Sequence, residues 1–401
     1  MDFSLTKEEQ ALKEELEAFF EEEMKNAPEG FSGGIEGIYA NKEGNDFHKY
    51  MAKRMGEKGY IAHAWPKKYG GMEASIMEQM IFDEVRGRYS APGIDSFGVG
   101  MFAPTLMVGA TEEQKERLLP PIARGDVFYC QGWSEPDAGS DLASLTTLAV
   151  RDGDHYIVNG QKTWTTGGHY SDHMFLLART DPDSKRSRGL SVFNVDLSTP
   201  GIEIRPVLYM DGKHVYNEVF LKDVKLPAND LIGEEGKGWD LTRQTMNFER
   251  SGQGGYAGMK ETLKKLIAYM KSTKRCGKLL SEDPINRKKV AQLLIDCELG
   301  ISLGYKIGWY QSKNDAMNII WSASASKLWG TELAQRMSYF ATEIMGPYGQ
   351  LEEGPQAPLN GGMASLYQFC KGMTIYAGSN EIQRNLIAWV GLGLPRLKFK
   401  P

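Results

Sequence analysis

The sequence predicts an α+β fold with an N-terminal helical domain, a middle β domain and a C-terminal helical bundle. Apolar residues recur at helical spacing through roughly the first 125 residues. Between residues 128 and 233 the pattern changes to short β-branched runs separated by turns, which is typical of a barrel or sandwich. Long helical patterns then continue almost to the last residue and predict a four-helix bundle. We therefore expect domains at residues 1–126, 127–236 and 237–401.

The N-terminal domain is predicted to contain helices at residues 7–25, 47–59, 76–87 and 111–119. Thr6 precedes an acidic amphipathic run, and Thr111 is followed by Glu-Glu-Gln, a pattern that resembles a capping box. Residues 28–46 are rich in glycine and polar side chains. They predict a loop excursion rather than a packed element.

Turns such as Asp152-Gly153 and Pro200-Gly201 separate the predicted strands at regular spacing. The strands cover residues 146–150, 156–158, 174–179, 190–195, 202–206 and 216–221. Helical periodicity resumes after residue 238. The C-terminal helices are predicted at residues 239–272, 286–313, 316–345, 362–374 and 380–390.

The composition excludes several classes of partner. The chain has 401 residues, 41% of them hydrophobic and 25% charged, with a formal net charge of −5. Without a basic surface, nucleic acid and anionic membranes are not expected partners. No apolar run approaches membrane-spanning length, and the first residues lack the pattern of a signal peptide. Four scattered cysteines indicate reduced thiols, so we expect a cytoplasmic protein without a metal site.

Two stretches of the middle domain indicate a ligand site. Residues 131–141 (QGWSEPDAGSD) predict a loop that leaves a strand, with hydroxyl donors at Ser134 and Ser140. Residues 159–166 (NGQKTWTT) follow an apolar strand through a tight Asn-Gly turn. An aromatic wall at Trp164 beside threonine hydroxyls suits a flat heteroaromatic cofactor.

Together, these two stretches resemble the flavin-binding signatures of the acyl-CoA dehydrogenase family, and the resemblance extends over nearly the whole chain. It implies FAD between the β domain and the C-terminal bundle. It also implies removal of an α-proton from an acyl-CoA thioester while a hydride leaves the β-carbon for the flavin. The family positions imply cofactor contacts at Gln131, Trp133, Ser134, Trp164, Thr166, Lys274, Arg275, Gly346, Ser379 and Glu381. For the acyl-CoA they imply Ser140, Asn247 and Arg250.

Residues 273–277 (TKRCG) depart from a family pattern. The family often has Arg-x-x-Phe-Gly there, through which a neighbouring subunit contacts the flavin pyrophosphate. In this chain the arginine is displaced by two positions, so Lys274 and Arg275 are the candidate phosphate partners. The departure leaves open either a homotetramer or an α2β2 heterotetramer, as in steroid-degrading relatives.

The catalytic base also departs from the usual pattern. In many family members it is the Glu of a Tyr-Glu-Gly-Thr motif, and here that motif reads Tyr-Ala-Gly-Ser at residues 376–379. The carboxylate is missing, but the Ala377 backbone N–H remains. In the family this N–H donates to the thioester carbonyl whatever the side chain is. The resemblance therefore implies that the oxyanion donor is kept and that the base lies elsewhere.

One subset of the family carries the base on the first helix of the C-terminal bundle. Residues 246–250 (MNFER) match that subset's Glu-Arg pair, which makes Glu249 the candidate base. Arg250 is a candidate to keep Glu249 ionised or to bind CoA phosphates. Glycines follow at positions 252, 254 and 255, and their cost in a helix indicates close approach of a ligand or another backbone. The alternative is a solvated Glu-Arg pair on an exposed helix face.

Asp95 is a second candidate for a catalytic role. Its segment, residues 91–97, matches the family segment that lines the acyl pocket, and some relatives acting on cyclic acyl-CoAs draw a catalytic Asp from it. The alternative is an Asp that caps the helix starting near Ser96. His169 and His173 are four residues apart but not on a helix, so they predict no metal site.

The resemblance implies an FAD-dependent acyl-CoA dehydrogenase that passes electrons to an electron-transferring flavoprotein. The displaced base and the 28–46 excursion favour a bulky, branched or cyclic acyl group. Two alternatives stay open. One is a catalytically silent subunit that keeps the fold and scaffolds an active chain, which the missing carboxylate at residue 377 would suit. The other is an acyl-CoA oxidase that reacts with oxygen.

Overall fold

A computed structural model describes residues 4–184, 186–245 and 253–396. Within those ranges the chain forms two compact units. No described helix combines the length and apolar character needed to cross a membrane. The α-helices are α1 (Lys7–Glu23), α2 (Gly34–Tyr39), α3 (Lys42–Glu57), α4 (Ile76–Arg88), α5 (Ala103–Gly109), α6 (Glu112–Ala123), α7 (Gly238–Thr245), α8 (Gln253–Ser272), α9 (Pro284–Ser312), α10 (Ala316–Met345), α11 (Gly362–Met373) and α12 (Asn380–Leu386).

The strands lie where the sequence predicts the β domain. They are β1 (Tyr129–Gly132), β2 (Leu148–Asp152), β3 (His155–Lys162), β4 (His173–Arg179), β5 (Leu190–Asp196), β6 (Ile202–Leu208), β7 (His214–Pro227) and β8 (Leu231–Ile232). A short hairpin, β9 (Lys274–Arg275) and β10 (Lys278–Leu279), follows α8. The predicted order of helical, β and helical regions is confirmed.

The first unit comprises Met1–Asn26, Ser75–Ala91 and Arg250–Pro401. In this unit α1 packs on α4, α4 on α8, and α8, α9, α10 and α11 pack in succession. Their core is formed by large apolar side chains such as Leu266 and Met337. Both Thr6 and Ser75 form capping boxes with a glutamate at the third helical position, so local sequence determines where α1 and α4 begin.

The second unit comprises Ala27–Ala74 and Pro92–Glu249. Its main sheet has the strand order β6-β7-β3-β2-β4-β5-β8, and β1 pairs with β4 in parallel. The long strand β7 pairs with β6 on one side and β3 on the other, both antiparallel. This arrangement places the end of β1 and the end of β3, which carry the two predicted flavin stretches, in one sheet.

The prediction of an unpacked excursion at residues 28–46 is wrong. The segment contains α2 and the first turn of α3, which Asn41 caps by accepting the Gly44 N–H. Tyr39 of α2 is buried against Val215 and Tyr216 of β7. Because this stabilisation comes from a strand distant in sequence, the glycine-rich local pattern carries no sign of it.

The structure describes the predicted helix at 239–272 in two parts, α7 and α8, and residues 246–252 lie outside the described residues. The predicted helix at 380–390 begins as α12 and continues as a π-helical turn, Ile387–Gly391.

Candidate functional site

The loop after β1 begins with a buried tryptophan. The Trp133 ring packs edge-on against Phe175, with ring centroids 5.1 Å apart. The Trp133 indole Nε1–H is buried and has no hydrogen-bond acceptor in the part of the chain that the structure describes. A buried N–H without an acceptor is costly, so the group is suited to meet a bound ligand.

A buried ion pair stabilises this loop. Glu135 is 6% exposed, and its carboxylate accepts from the backbone N–H groups of Thr146 (2.6 Å) and Thr147 (2.8 Å). Lys162, at the end of β3, is 0% exposed and donates to the Glu135 carboxylate at 2.8 Å and to the Trp133 carbonyl at 3.1 Å. The pair therefore joins the first predicted flavin stretch to the second.

Burial and charge oppose each other in this pair. Burial acts to raise the pKa of Glu135, but the Lys162 ammonium and the hydrogen bonds from Thr147 and Thr146 hold that pKa down at about 2. Burial lowers the pKa of Lys162 to about 8, although the Glu135 carboxylate acts against the shift. Both groups are charged at neutral pH, so the loop depends on a desolvated ion pair.

The second stretch runs beside the first. The Thr163 N–H donates to the Ser134 carbonyl at 2.9 Å. Next to it, Trp164 has a left-handed backbone (φ 58°) and a side chain that is 57% exposed, packed edge-on to Tyr216 at 5.7 Å. Such a backbone is unfavourable for a tryptophan, and strain of this kind is concentrated at functional sites.

These residues fit a flavin. One hydrogen-bonded pair of segments holds a large aromatic surface at Trp164 and the hydroxyls of Ser134 and Thr166. It also holds the Trp133 N–H, for which the described residues provide no acceptor. A planar ring with polar edges requires these features. Gln131 is half-buried, with its amide nitrogen 3.5 Å from the Met101 sulfur. The other predicted contact in this loop, Ser140, has an exposed side chain.

In the first unit, residues 376–379 form a tight turn before α12. Ala377 has a left-handed backbone (φ 53°). The Gln383 side-chain amide donates to the carbonyls of Ala377 (3.0 Å) and Gly378 (3.2 Å), and Ser379 caps α12 by accepting the Ile382 N–H. No acceptor for the Ala377 N–H occurs among the described residues. The turn thus holds this N–H in a defined direction and leaves it available.

Polar side chains also hold the first residue of α12. Asn380 is buried, and its side-chain oxygen accepts from Lys327 at 3.0 Å and Thr331 at 3.1 Å. Burial lowers the pKa of Lys327 to about 8, while Glu381 acts to raise it. The pKa of Glu381 lies below its ordinary value because its own backbone N–H and the Ser379 hydroxyl bond to the carboxylate.

Two of the predicted cofactor contacts, Arg275 and Gly346, are neighbours in the structure. The Arg275 guanidinium donates to the Ile344 carbonyl at 2.5 Å, and a Cβ at Gly346 (φ 60°) would lie 3.3 Å from it. Lys274 precedes Arg275 on β9 and is exposed. The structure therefore places Arg275 at the end of α10.

Comparisons with known proteins agree with these features. Models of the acyl-CoA dehydrogenase N-terminal, middle and C-terminal domains match residues 6–126, 130–224 and 236–392. The chain is 35% identical to acyl-CoA dehydrogenase FadE26 of Mycobacterium tuberculosis, over 99% of each protein.

The chain belongs to the acyl-CoA dehydrogenase family.

Two solved structures show the same fold. A chain of the ChsE4-ChsE5 complex from Mycobacterium tuberculosis is 33% identical with a TM-score of 0.85, over 99% of this chain and 100% of that one. A chain of the Tcur3481-Tcur3483 steroid ACAD is 31% identical, with the same TM-score and coverage. Family membership makes this protein an FAD-dependent acyl-CoA dehydrogenase, an oxidoreductase.

The predicted base of this acyl-CoA dehydrogenase lies outside the described residues, as do the two predicted substrate contacts beside it: Glu249, Asn247 and Arg250. The structure does describe the glycines that follow. A Cβ at Gly254 of α8 would lie 2.6 Å from the Asp83 carbonyl of α4, whereas a Cβ at Gly255 would meet nothing within 4 Å. Gly254 thus allows the backbones of α8 and α4 to touch. This contact accounts for the glycine, so the glycine is not an argument for a bound ligand at that position.

Asp95 is buried and bonded to backbone groups. One carboxylate oxygen accepts the Phe97 N–H at 3.0 Å, and the other accepts the Tyr129 N–H of β1 at 2.7 Å. Burial raises the pKa of Asp95 to about 6, although these hydrogen bonds act to lower it. Asp95 therefore caps a local turn and attaches it to β1, and a catalytic role for it stays a prediction.

Sequence reasoning missed three groups that hold predicted contact residues in place within their own units. They are the Glu135–Lys162 pair, the Gln383 amide, and a buried network around Asn217. Only Lys162 carried a sequence signal, because a charged residue sits at the end of an apolar strand. Among described residues, no cluster of three or more His, Cys, Asp or Glu side chains is placed to hold a metal ion.

Proposed function

We propose that the protein dehydrogenates the α,β-bond of an acyl-CoA thioester with a bulky, branched or cyclic acyl group. The observation that carries the proposal is the exposed, strained Trp164 wall, hydrogen-bonded to the Ser134 loop. We propose FAD contacts at the residues that the sequence implies. The domain boundaries at residues 126 and 236 are part of this proposal.

In the proposed reaction, different residues of the chain accept the α-proton and stabilise the thioester oxygen. FAD, when bound, supplies the hydride acceptor. Glu249 accepts the α-proton, since the usual position of the base carries Ala377. The Ala377 N–H donates to the thioester oxygen as negative charge develops there. Because Gln383 holds both carbonyls of this turn, the N–H is oriented before the substrate binds.

Our proposals for the acyl group and for the partner proteins rest on the displaced base and on the similar proteins. A solved relative is a steroid ACAD, and another forms the ChsE4-ChsE5 complex. The helix α2 within residues 28–46 removes one argument for a large acyl pocket. We propose a tetramer, either homomeric or α2β2, located in the cytoplasm. It passes electrons to an electron-transferring flavoprotein.

Purified protein is expected to be yellow, with about one FAD per subunit or per pair. Under anaerobic conditions a cyclic acyl-CoA, such as one with a steroid side chain, should bleach the flavin faster than a short linear acyl-CoA does. Absorbance at the flavin band measures both the FAD content and the rate at which the flavin is reduced. Protein that stays colourless after incubation with FAD would contradict the dehydrogenase assignment.

The missing carboxylate at residue 377 favours one second candidate, a catalytically silent partner subunit. The same titration separates the two. A silent subunit could be purified with or without FAD. Neither the cyclic nor the short linear acyl-CoA would reduce a flavin bound to it. Activity that appears only after a second chain is added would favour this candidate.

Gln383→Leu tests the oxyanion donor. Proline at residue 377 would not test it, because proline cannot adopt the φ of 53° found there. A complete oxyanion donor is worth roughly 10²–10³ in kcat, so a misdirected one should lower kcat by about tenfold or more with little change in KM. Steady-state kinetics with a cyclic acyl-CoA measure both constants.

Gln368→Leu is the matched control, because it removes an amide that bonds to Glu352 at the surface of the same unit. It should keep wild-type kcat. Wild-type kcat in a folded, FAD-containing Gln383→Leu variant would show that the Ala377 turn does not need this amide.

A further inference from the structure

Asn217 of β7 is fully buried and holds a neighbouring backbone at two points. Its carbonyl accepts the Thr165 N–H at 2.9 Å, and its side-chain amide donates to the Thr165 carbonyl, also at 2.9 Å. Both backbone polar groups of Thr165 are therefore satisfied by one residue. Since Thr165 lies between Trp164 and Thr166, Asn217 fixes the backbone of the aromatic wall.

Two histidines determine which way the Asn217 amide points. Its nitrogen donates to His169 Nδ1 at 3.1 Å, and its oxygen accepts from His214 Nε2 at 2.8 Å. The Thr165 carbonyl can only accept, so the amide nitrogen must face it, and His169 Nδ1 must then carry no proton. The proton of His169 lies on Nε2, which donates to the Tyr39 carbonyl at 3.1 Å. The network is satisfied only while His169 is neutral, with its proton on Nε2, and while His214 carries a proton on Nε2.

A proton gained at His169 Nδ1 would break this arrangement. Two N–H groups would then face each other, and turning the amide over would remove the bond to the Thr165 carbonyl. The His169 ring also stacks on His214, with ring centroids 3.8 Å apart, so one positive charge opposes a second. Burial, followed by the neighbouring His214, lowers the pKa of His169 below its ordinary value.

Lys213, next to His214, lies 3.8 Å from Glu36 of α2 and 2.9 Å from Asp211, so these two carboxylates share one ammonium. The groups that contact the His169 ring nitrogens carry no charge: they are the Asn217 amide and the Tyr39 carbonyl. The Tyr170 ring also lies against His169, with ring centroids 4.2 Å apart, and Asp46, Glu43 and Lys42 act on the Tyr170 phenol. The groups in direct contact with His169 therefore favour its neutral form.

We propose that Asn217 is a positioning residue for the flavin-contact segment Trp164–Thr166, and that a neutral His169, together with the Nε2–H of His214, keeps its amide in the working orientation. The inference rests on the proposed FAD contacts of that segment. It predicts that FAD binding weakens as the pH falls. The folded site lowers the pKa of His169 because it favours the imidazole without the extra proton. Its stabilisation is therefore fully present above the ordinary histidine pKa and is lost as the pH falls through the lowered pKa.

FAD titrations of the apoprotein, followed by flavin fluorescence at pH 7.5 and pH 5.5, test the inference without turnover. The wild-type Kd should rise at the lower pH, by less than the roughly tenfold that an imidazole of ordinary pKa would give, because the site lowers the pKa of His169. His169→Gln can still donate and accept but cannot take up a proton. It should bind FAD like the wild type at pH 7.5 and show little change at pH 5.5.

Asn217→Asp gives a readout that a merely structural role would not produce. The carboxylate cannot donate to Thr165 or to neutral His169, so FAD binding at pH 7.5 should weaken. At pH 5.5 a protonated His169 can donate to the carboxylate, and binding should partly recover. The slope with pH would thus have the opposite sign to that of the wild type. Circular dichroism confirms that the variant is folded.

His155→Gln is the matched control, because His155 lies at the start of β3 beside Asp154 and Asp152. It should keep the wild-type pH dependence. Burial raises the pKa of Asp95 to about 6, and Asp95 is present in all of these variants, so a pH dependence that they all share is not assigned to His169.

Full pH dependence in His169→Gln, or an unchanged slope in Asn217→Asp, would overturn the proposal. Wild-type protein that binds no FAD at either pH would overturn the cofactor contacts and this inference with them. Protein that binds FAD with the expected slopes but is not reduced by acyl-CoA would support the inference and contradict the proposed reaction.

Discussion

Glu249→Gln is expected to slow flavin reduction by roughly 10²–10⁴-fold, the contribution of one general base. Glutamine keeps the shape and much of the hydrogen bonding of glutamate but does not accept the α-proton. Affinity for a non-reducible acyl-CoA should change little, because the side-chain volume is conserved. Anaerobic stopped-flow absorbance at the flavin band measures the rate, and ligand titration measures the affinity. An unchanged rate would remove Glu249 from the mechanism.

Two companion variants locate the base. Asp95→Asn should lower stability more than rate, because both Asp95 oxygens accept backbone N–H groups and an amide keeps only one acceptor. A rate lost only in Asp95→Asn would transfer the role to Asp95. The double variant Glu249→Gln with Ala377→Glu returns a carboxylate to the commoner family position, and partial recovery there would show that both positions can serve the same α-carbon.

Lys162→Met is expected to destabilise the protein by about 3–5 kcal/mol, because it leaves the buried Glu135 carboxylate without its cation. The Trp133 carbonyl also loses a donor. Methionine fills a similar volume, so packing alone predicts a much smaller loss. Urea unfolding of the apoprotein measures the free energy.

The double variant Glu135→Gln with Lys162→Met separates charge from packing. Without a buried carboxylate, much of the loss should be recovered. A control on the surface, Lys53→Met, removes an exposed partner of Asp126 and should change stability by less than about 1 kcal/mol. If Lys162→Met behaved like Lys53→Met, the buried pair would have no role in holding the flavin loop.

Local signals were enough to predict much of the fold. The helix α10 is found over Ala316–Met345, as its periodicity predicts, and Thr6 and Thr111 cap α1 and α6. A capping box and a helical period act over a few residues, so the sequence alone contains them. The two stretches that resemble flavin-binding signatures are recognisable for the same reason, since each is a continuous motif.

Other features required the tertiary structure. Helix α2 was missed because its stabilising contacts come from Val215 and Tyr216 of β7. The glycine at 254 predicted a close approach, and only the structure identifies the approaching group as the backbone of α4.

The sequence by itself determined the order of helical and β domains, the two motifs that resemble flavin-binding signatures and the missing carboxylate at residue 377. Only the tertiary structure decided how those motifs are held: Lys162 against Glu135, Gln383 against Ala377, and Asn217 against Thr165. In the last case the partners are 52 positions apart. Hydrogen bonds of this kind depend on strands and turns that meet in space, and no local pattern of residues encodes which of them will meet.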